Sequence, residues 1–92
     1  MARFFIEVPH EPNKEACARA VQILHKTGSH FLTNAEFGCL DGEHKAWIIV
    51  EVESRKEAQA ILPPEYHYQA KIVQLNKFTP EEMDDILAHH QD

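Results

Sequence analysis

The stretch Phe31-Leu32-Thr33-Asn34-Ala35-Glu36-Phe37-Gly38-Cys39-Leu40-Asp41-Gly42-Glu43-His44-Lys45-Ala46-Trp47-Ile48-Ile49-Val50-Glu51-Val52 decides the fold. Two apolar runs, Phe31 to Leu40 and Ala46 to Val52, flank Asp41-Gly42. Asp-Gly between such runs is the strongest short hairpin signal, because both residues tolerate the positive φ of a tight turn. A two-residue turn there pairs Phe37 with Ala46, Ala35 with Ile48, Thr33 with Val50 and Phe31 with Val52. Cross-strand partners share a face, and this face is nearly all apolar. It belongs against the core, since a slip of one residue would turn the whole set outward.

Working outward, Phe4, Ile6 and Val8 alternate with Arg3, Phe5 and Glu7, the period of a strand, and Pro9 ends it. Asn13 is an N-cap for a helix from Lys14 to Thr27, whose Ala16, Cys17, Ala20, Val21 and Leu24 form one apolar stripe, with Gly28 as its stop. Beyond the hairpin, Ser54-Arg55-Lys56-Glu57 is a capping box for a second helix from Arg55 to Leu62, which Pro63-Pro64 must end. Ala70 to Phe78 reads as a fourth strand. Thr79-Pro80-Glu81-Glu82 opens a third helix, over about residues 80–90, with Met83, Ile86 and Leu87 as its buried side.

The order β-α-β-β-α-β plus a terminal helix predicts an α+β, ferredoxin-like sandwich. Right-handed crossovers give a four-stranded antiparallel sheet in the order 4-1-3-2, with the two inner helices on one face. Residues 1–92 make a single domain, since 92 residues hold one hydrophobic core.

Composition narrows the function classes. A formal charge of −6 argues against nucleic acid, whose phosphates are met by clustered Lys and Arg. No apolar run approaches the roughly 20 residues that cross a bilayer, and Glu7 interrupts the start too early for a signal peptide, so the expectation is a cytoplasmic protein with no membrane partner. In that reducing setting the two cysteines are thiols, metal ligands or a redox pair. The unusual count is histidine, seven residues against nine Lys plus Arg.

The sheet face away from the helices carries Phe5, Glu7, Leu32, Asn34, Glu36, Trp47, Ile49 and Glu51. Phe5, Trp47 and Ile49 make an apolar patch that wants cover. The C-terminal helix folded over it in a monomer would supply that, or, the reading preferred because that helix is short and strongly acidic, a second copy stacked sheet to sheet in a homodimer. In layout the whole chain resembles the small ferredoxin-like proteins of the dimeric α+β-barrel group. The run Gly28-Ser29-His30-Phe31-Leu32-Thr33, followed by Gly38-Cys39-Leu40-Asp41-Gly42-Glu43-His44, is similar in style to uncharacterised bacterial members. The resemblance implies pairing through the sheets. It implies no single activity, because the group includes cofactor-independent isomerases and monooxygenases, ligand sensors, heme-handling enzymes and transition-metal binders.

One constellation carries chemistry. The antiparallel order brings the end of strand 1, the end of strand 2 and the starts of strands 3 and 4 to one end of the sheet. His10, Cys39, His44 and His67 stand there, Cys39 and His44 as a direct cross-strand pair, and Cys17 lies in the first turn of the first helix above them. Thiolate and imidazole together suit zinc, nickel or copper rather than magnesium or calcium. The bland alternative is that the cysteines pack as small hydrophobes and the histidines are solvated; a third is a reversible Cys17–Cys39 disulfide. His25, His89 and His90 sit near helix C-termini, where a cation is favoured, and His30 opens strand 2 with no obvious partner.

An enzyme reading uses the other face. Glu7, Glu36 or Glu51 beside apolar groups could serve as the base of a cofactor-independent isomerase or monooxygenase acting on a small apolar metabolite. A homo-oligomeric interaction or regulatory module is the remaining class.

Overall fold

The computed structural model describes residues 1–27 and 29–89; Gly28, the expected stop of the first helix, and His90 lie outside the described residues. Alternation of apolar side chains over Ala2–Pro9 gives strand β1, with Phe4, Ile6 and Val8 buried. Asn13 Oδ1 accepts the Ala16 N–H at 2.8 Å and opens α1 over Lys14–Thr27, which turns Ala20 and Leu24 inward. β2 is Glu36–Phe37 and β3 is Lys45–Val52. Ser54 Oγ accepts the Glu57 N–H at 3.2 Å and starts α2, Arg55–Ile61, which stops ahead of Pro63-Pro64. β4 is Lys71–Leu75. Thr79 and Glu82 form a reciprocal capping box, with bonds of 3.2 and 3.3 Å, that opens α3 over Pro80–His89.

The strands form one antiparallel sheet in the order β2-β3-β1-β4, the expected order counted from its other edge. Ala20 and Leu24 from α1 and Ala58 and Ile61 from α2 pack with Phe4, Ile6, Val8, Ala46, Val50 and Val52, so both helices cover the same sheet face. The hairpin register is also the expected one: Phe37 lies opposite Ala46 and Glu36 opposite Trp47.

The second strand, however, is two residues long rather than a run from Phe31 to Leu40. His30–Asn34 instead winds into a 3-10 turn, where Ser29 Oγ accepts the Phe31 N–H at 3.4 Å and Thr33 Oγ1 donates to the His30 carbonyl at 2.9 Å. These local bonds compete with the sheet ladder and win at its edge. Leu32, expected on the open face, is therefore 1% exposed in the core, while Phe31, expected in the core, is 43% exposed. The turn is likewise longer than Asp41-Gly42: Cys39–Asp41 is a 3-10 turn, and Gly42 takes a positive φ, of 84°.

The third departure is α3. The chain has a radius of gyration of 15.9 Å, where about 12 Å suits a compact chain of this length, and extents of 49 × 28 × 21 Å. Met83 and Leu87, expected to be buried, are exposed, and Ile86 is half-buried. α3 follows an edge strand and packs little against the sheet.

Candidate metal centre

At one end of the sheet the backbone sets two histidines side by side. Pro9 pairs with Lys45 at the end of the β1–β3 ladder, and the His10 N–H then donates to the His44 carbonyl at 3.1 Å. The two rings meet edge to face, with centroids 5.8 Å apart.

The loop between β2 and β3 brings the thiol. The Gly38 N–H donates to the Lys45 carbonyl at 3.1 Å, and the Gly38 carbonyl accepts from Asp41 at 3.0 Å and Glu43 at 2.9 Å. A Cβ on Gly38 would stand 2.6 and 2.7 Å from Trp47 ring carbons and 2.9 Å from the Glu43 carbonyl oxygen. Only glycine lets the Trp47 ring lie on this backbone, and the folded-back loop then carries Cys39 over the histidines. Cys39 is thus a turn residue rather than a strand residue, yet it reaches the same neighbours.

Cys39 Sγ lies 3.2 Å from His10 Nε2. His10 Nδ1 is 3.0 Å from the Glu11 carbonyl, which can only accept, so Nδ1 carries the proton and Nε2 presents a lone pair to the sulfur. This outer contact fixes the imidazole as a metal ligand's ring is usually fixed. His44 Nδ1 is buried and has no hydrogen-bond partner among the described residues. One ligand atom each from His10, Cys39 and His44 lie within 4.8 Å of one another. An orphaned buried nitrogen such as His44 Nδ1 is costly, about 1–3 kcal/mol.

The Cys39 thiol is pushed up to about 11, first by burial and then by its hydrogen bond with Cys17. It is therefore protonated at neutral pH, with His10 Nε2 3.2 Å from its sulfur. A bound cation would reverse this by displacing the proton. Cys17, from the first turn of α1, stands outside the three-residue group. His67 Nε2 donates to the Leu62 carbonyl at 2.8 Å and fixes the turn after α2, also outside the group. His25 packs edge to face on Phe37, with centroids 5.8 Å apart, and His30 is exposed at the start of its 3-10 turn.

Two clefts adjoin these elements. One of about 410 Å³ opens on His10, between the start of α1 and the turn at Pro64–Tyr66, and is edged by Arg19, Tyr66 and Gln69. Burial pushes the Tyr66 phenol up, partly offset by Arg19. None of these three stands out in the sequence, since only the crossover of α1 over the sheet brings them beside His10. The other, about 330 Å³, lies on the open sheet face between Phe5, Asn34, Glu36, Trp47, Ile48 and Ile49.

Of the carboxylates considered as bases, only Glu36 borders that second cleft, and it is exposed. Glu7 accepts the Trp47 Nε1–H at 3.0 Å and faces Lys45 Nζ at 3.8 Å. Glu51 pairs with Arg3 at 3.9 Å near solvent. No helix among the described residues is long and apolar enough to cross a membrane. Compared with protein-family models, curated proteins and solved structures, the chain shows no significant match.

Proposed function

We propose that this protein binds a transition-metal ion through His10 Nε2, Cys39 Sγ and His44. The observation that carries the reading is one donor atom each from His10, Cys39 and His44 within 4.8 Å of one another, on a His44 ring whose buried Nδ1 has no hydrogen-bond partner among the described residues. Tetrahedral zinc, with bonds of about 2.0–2.1 Å to nitrogen and 2.3 Å to sulfur, needs donor separations of roughly 3.3–3.6 Å. The His10–Cys39 separation of 3.2 Å is already close, and the donors, within 4.8 Å of one another, need to close by no more than about 1.5 Å. One thiolate and two imidazoles select zinc, nickel or copper over magnesium or calcium, and three protein ligands leave at least one position open for a small molecule. Titration of the reduced protein with zinc and with nickel tests it. Saturable binding at one ion per chain, lost at least a hundredfold in Cys39→Ala, supports the site; no saturable binding by the reduced wild type ends it.

Two copies of the chain, in this reading, pair through the open sheet face. The accessible surface is 6817 Å², where a compact monomer of 10.6 kDa exposes about 5,500 Å². The excess exceeds the roughly 800 Å² per partner that a standard interface buries. Ile49, Phe5 and Val73 form an apolar band across β3, β1 and β4. Arg3 with Glu51 and Lys45 with Glu7 flank it, so each end of the band offers both signs of charge to a two-fold-related copy. Sedimentation at two concentrations gives a dimer that Phe5→Glu dissociates; a monomer at high concentration contradicts the pairing.

A further inference from the structure

We propose that the cleft between the start of α1 and the turn at Pro64–Tyr66 binds a small organic monocarboxylate. Arg19, Tyr66 and Gln69 hold the carboxylate, and Pro9, Pro12 and Ala16 face the apolar body, all six residues lining the cleft. The cleft borders the metal-site residue His10 but needs no metal ion, so the proposal goes beyond the metal reading and does not depend on it.

The charge argument starts from the three arginines of the chain. Arg3 pairs with Glu51, while Arg55 donates to the Ile72 carbonyl and lies over the Phe4 ring. Arg19 has no ion pair and no hydrogen bond among the described residues, in a chain where fifteen acidic residues outnumber nine basic ones. It follows Ala16 by one turn of α1, on the same helix face, and both border the cleft. A guanidinium free at a concave wall offers two parallel N–H donors, the geometry that a carboxylate fits.

Tyr66 supplies the independent observation. It is 6% exposed and packs in the core cluster, yet it lines this cleft. Its hydroxyl has no hydrogen-bond partner among the described residues, whereas a buried tyrosine normally finds one. Burial pushes the phenol up, so it keeps its proton at neutral pH and serves as a donor to an anion. The turn that carries it is well held: the Tyr66 N–H donates to the Pro63 carbonyl at 3.0 Å, and the Tyr66 carbonyl accepts the Ala70 N–H at 3.2 Å. Pro9 and Pro12, with their fixed φ, stiffen the opposite wall. The cleft is thus largely formed before a ligand arrives, which keeps the ordering cost of binding low.

The same walls select the ligand. Glu11 also borders the cleft, and Glu65 precedes Tyr66 in its turn, so a second negative charge on the ligand would meet carboxylates. A single carboxylate is therefore favoured over a phosphate dianion. At about 410 Å³ the cleft has room for more than the carboxylate, and its proline and alanine surfaces suit an apolar body.

The test is a nitrogen-15 amide-shift titration of the full, metal-free chain with benzoate, its neutral isostere benzamide, and inorganic phosphate. Benzoate should shift the Ala16, Arg19, Tyr66 and Gln69 amides saturably with a Kd of about 1–10 mM, the scale for so small a ligand, and benzamide and phosphate should bind at least tenfold more weakly. Arg19→Gln, at an exposed position that leaves the core alone, should weaken benzoate at least tenfold. Tyr66→Phe, which keeps the ring and is checked by a thermal melt, should weaken it at least threefold. The absence of saturable shifts up to about 50 mM benzoate overturns the proposal, as do equal affinities for benzoate and benzamide. Affinity within twofold of wild type in Arg19→Gln overturns it too. So do shifts confined to Phe5, Trp47 and Ile49, which would put the probe in the cleft on the open sheet face instead. Zinc binding is measured separately on the same protein, so either proposal can fail while the other stands.

Discussion

Replacing Gly38 with Ala should disturb both the fold and the site, through one methyl group. The added Cβ meets Trp47 Cζ3 at 2.6 Å, Cη2 at 2.7 Å and the Glu43 carbonyl oxygen at 2.9 Å. The Trp47 ring cannot simply swing away, because its Nε1–H is bonded to Glu7 at 3.0 Å. The Glu43 carbonyl cannot retreat either, since it accepts the Lys45 N–H at 2.9 Å within the same loop. Overpacking of this kind costs about 1–3 kcal/mol. For a domain of this length that lowers Tm by about 4–8 °C per kcal/mol. Trp47→Leu removes the ring, so the double variant should recover part of the loss, with a coupling of about 0.5–3 kcal/mol between the two positions. Urea melts of the four proteins in the cycle measure it. A Gly38→Ala effect within about 0.5 kcal/mol of zero, or additive effects in the double variant, would refute the packing argument. The same variant should weaken metal binding, because the loop that presents Cys39 hangs from the Gly38 N–H and carbonyl.

His44→Leu should abolish metal binding while raising the stability of the metal-free protein by about 1 kcal/mol, since it removes a buried nitrogen without a partner; a thermal melt that moves down instead would show that His44 is satisfied in solution. Metal affinity should rise about tenfold per pH unit through neutrality, because Cys39, held up to about 11 by burial, must release a proton to become a ligand, and a pH-independent affinity would exclude it from the ligand set. Gly42→Ala, at a φ of 84° with open space around its Cα, should cost about 1 kcal/mol by conformation alone and leave metal affinity within threefold.

Much of this architecture is legible in residue patterns. Asn13, Ser54 and Thr79 each cap the helix they announce, and the alternation in Phe4, Ile6 and Val8 points those side chains to the core, because capping and pleating are local rules. The pairing of Phe37 with Ala46 was readable from Asp41-Gly42 even though the turn is longer, since an apolar face fixes register beyond the loop itself. What patterns do not reveal is where a local bond defeats the ladder. Ser29 and Thr33 turn an apparent strand into a 3-10 turn, and that exchange moves Leu32 inward and Phe31 outward. The meeting of His10, Cys39 and His44 follows from strand order, whereas the roles of Gly38 and Arg19 depend on a ring against backbone and on a helix crossing, which no spacing encodes.

X-ray absorption at the zinc edge of the reduced, zinc-loaded protein tests the central claim most directly. The account predicts a first shell of one sulfur at about 2.3 Å and two imidazole nitrogens at about 2.0–2.1 Å, with a light atom completing the shell. A shell of nitrogen and oxygen alone would contradict it, because Cys39 would then take no part in binding the metal.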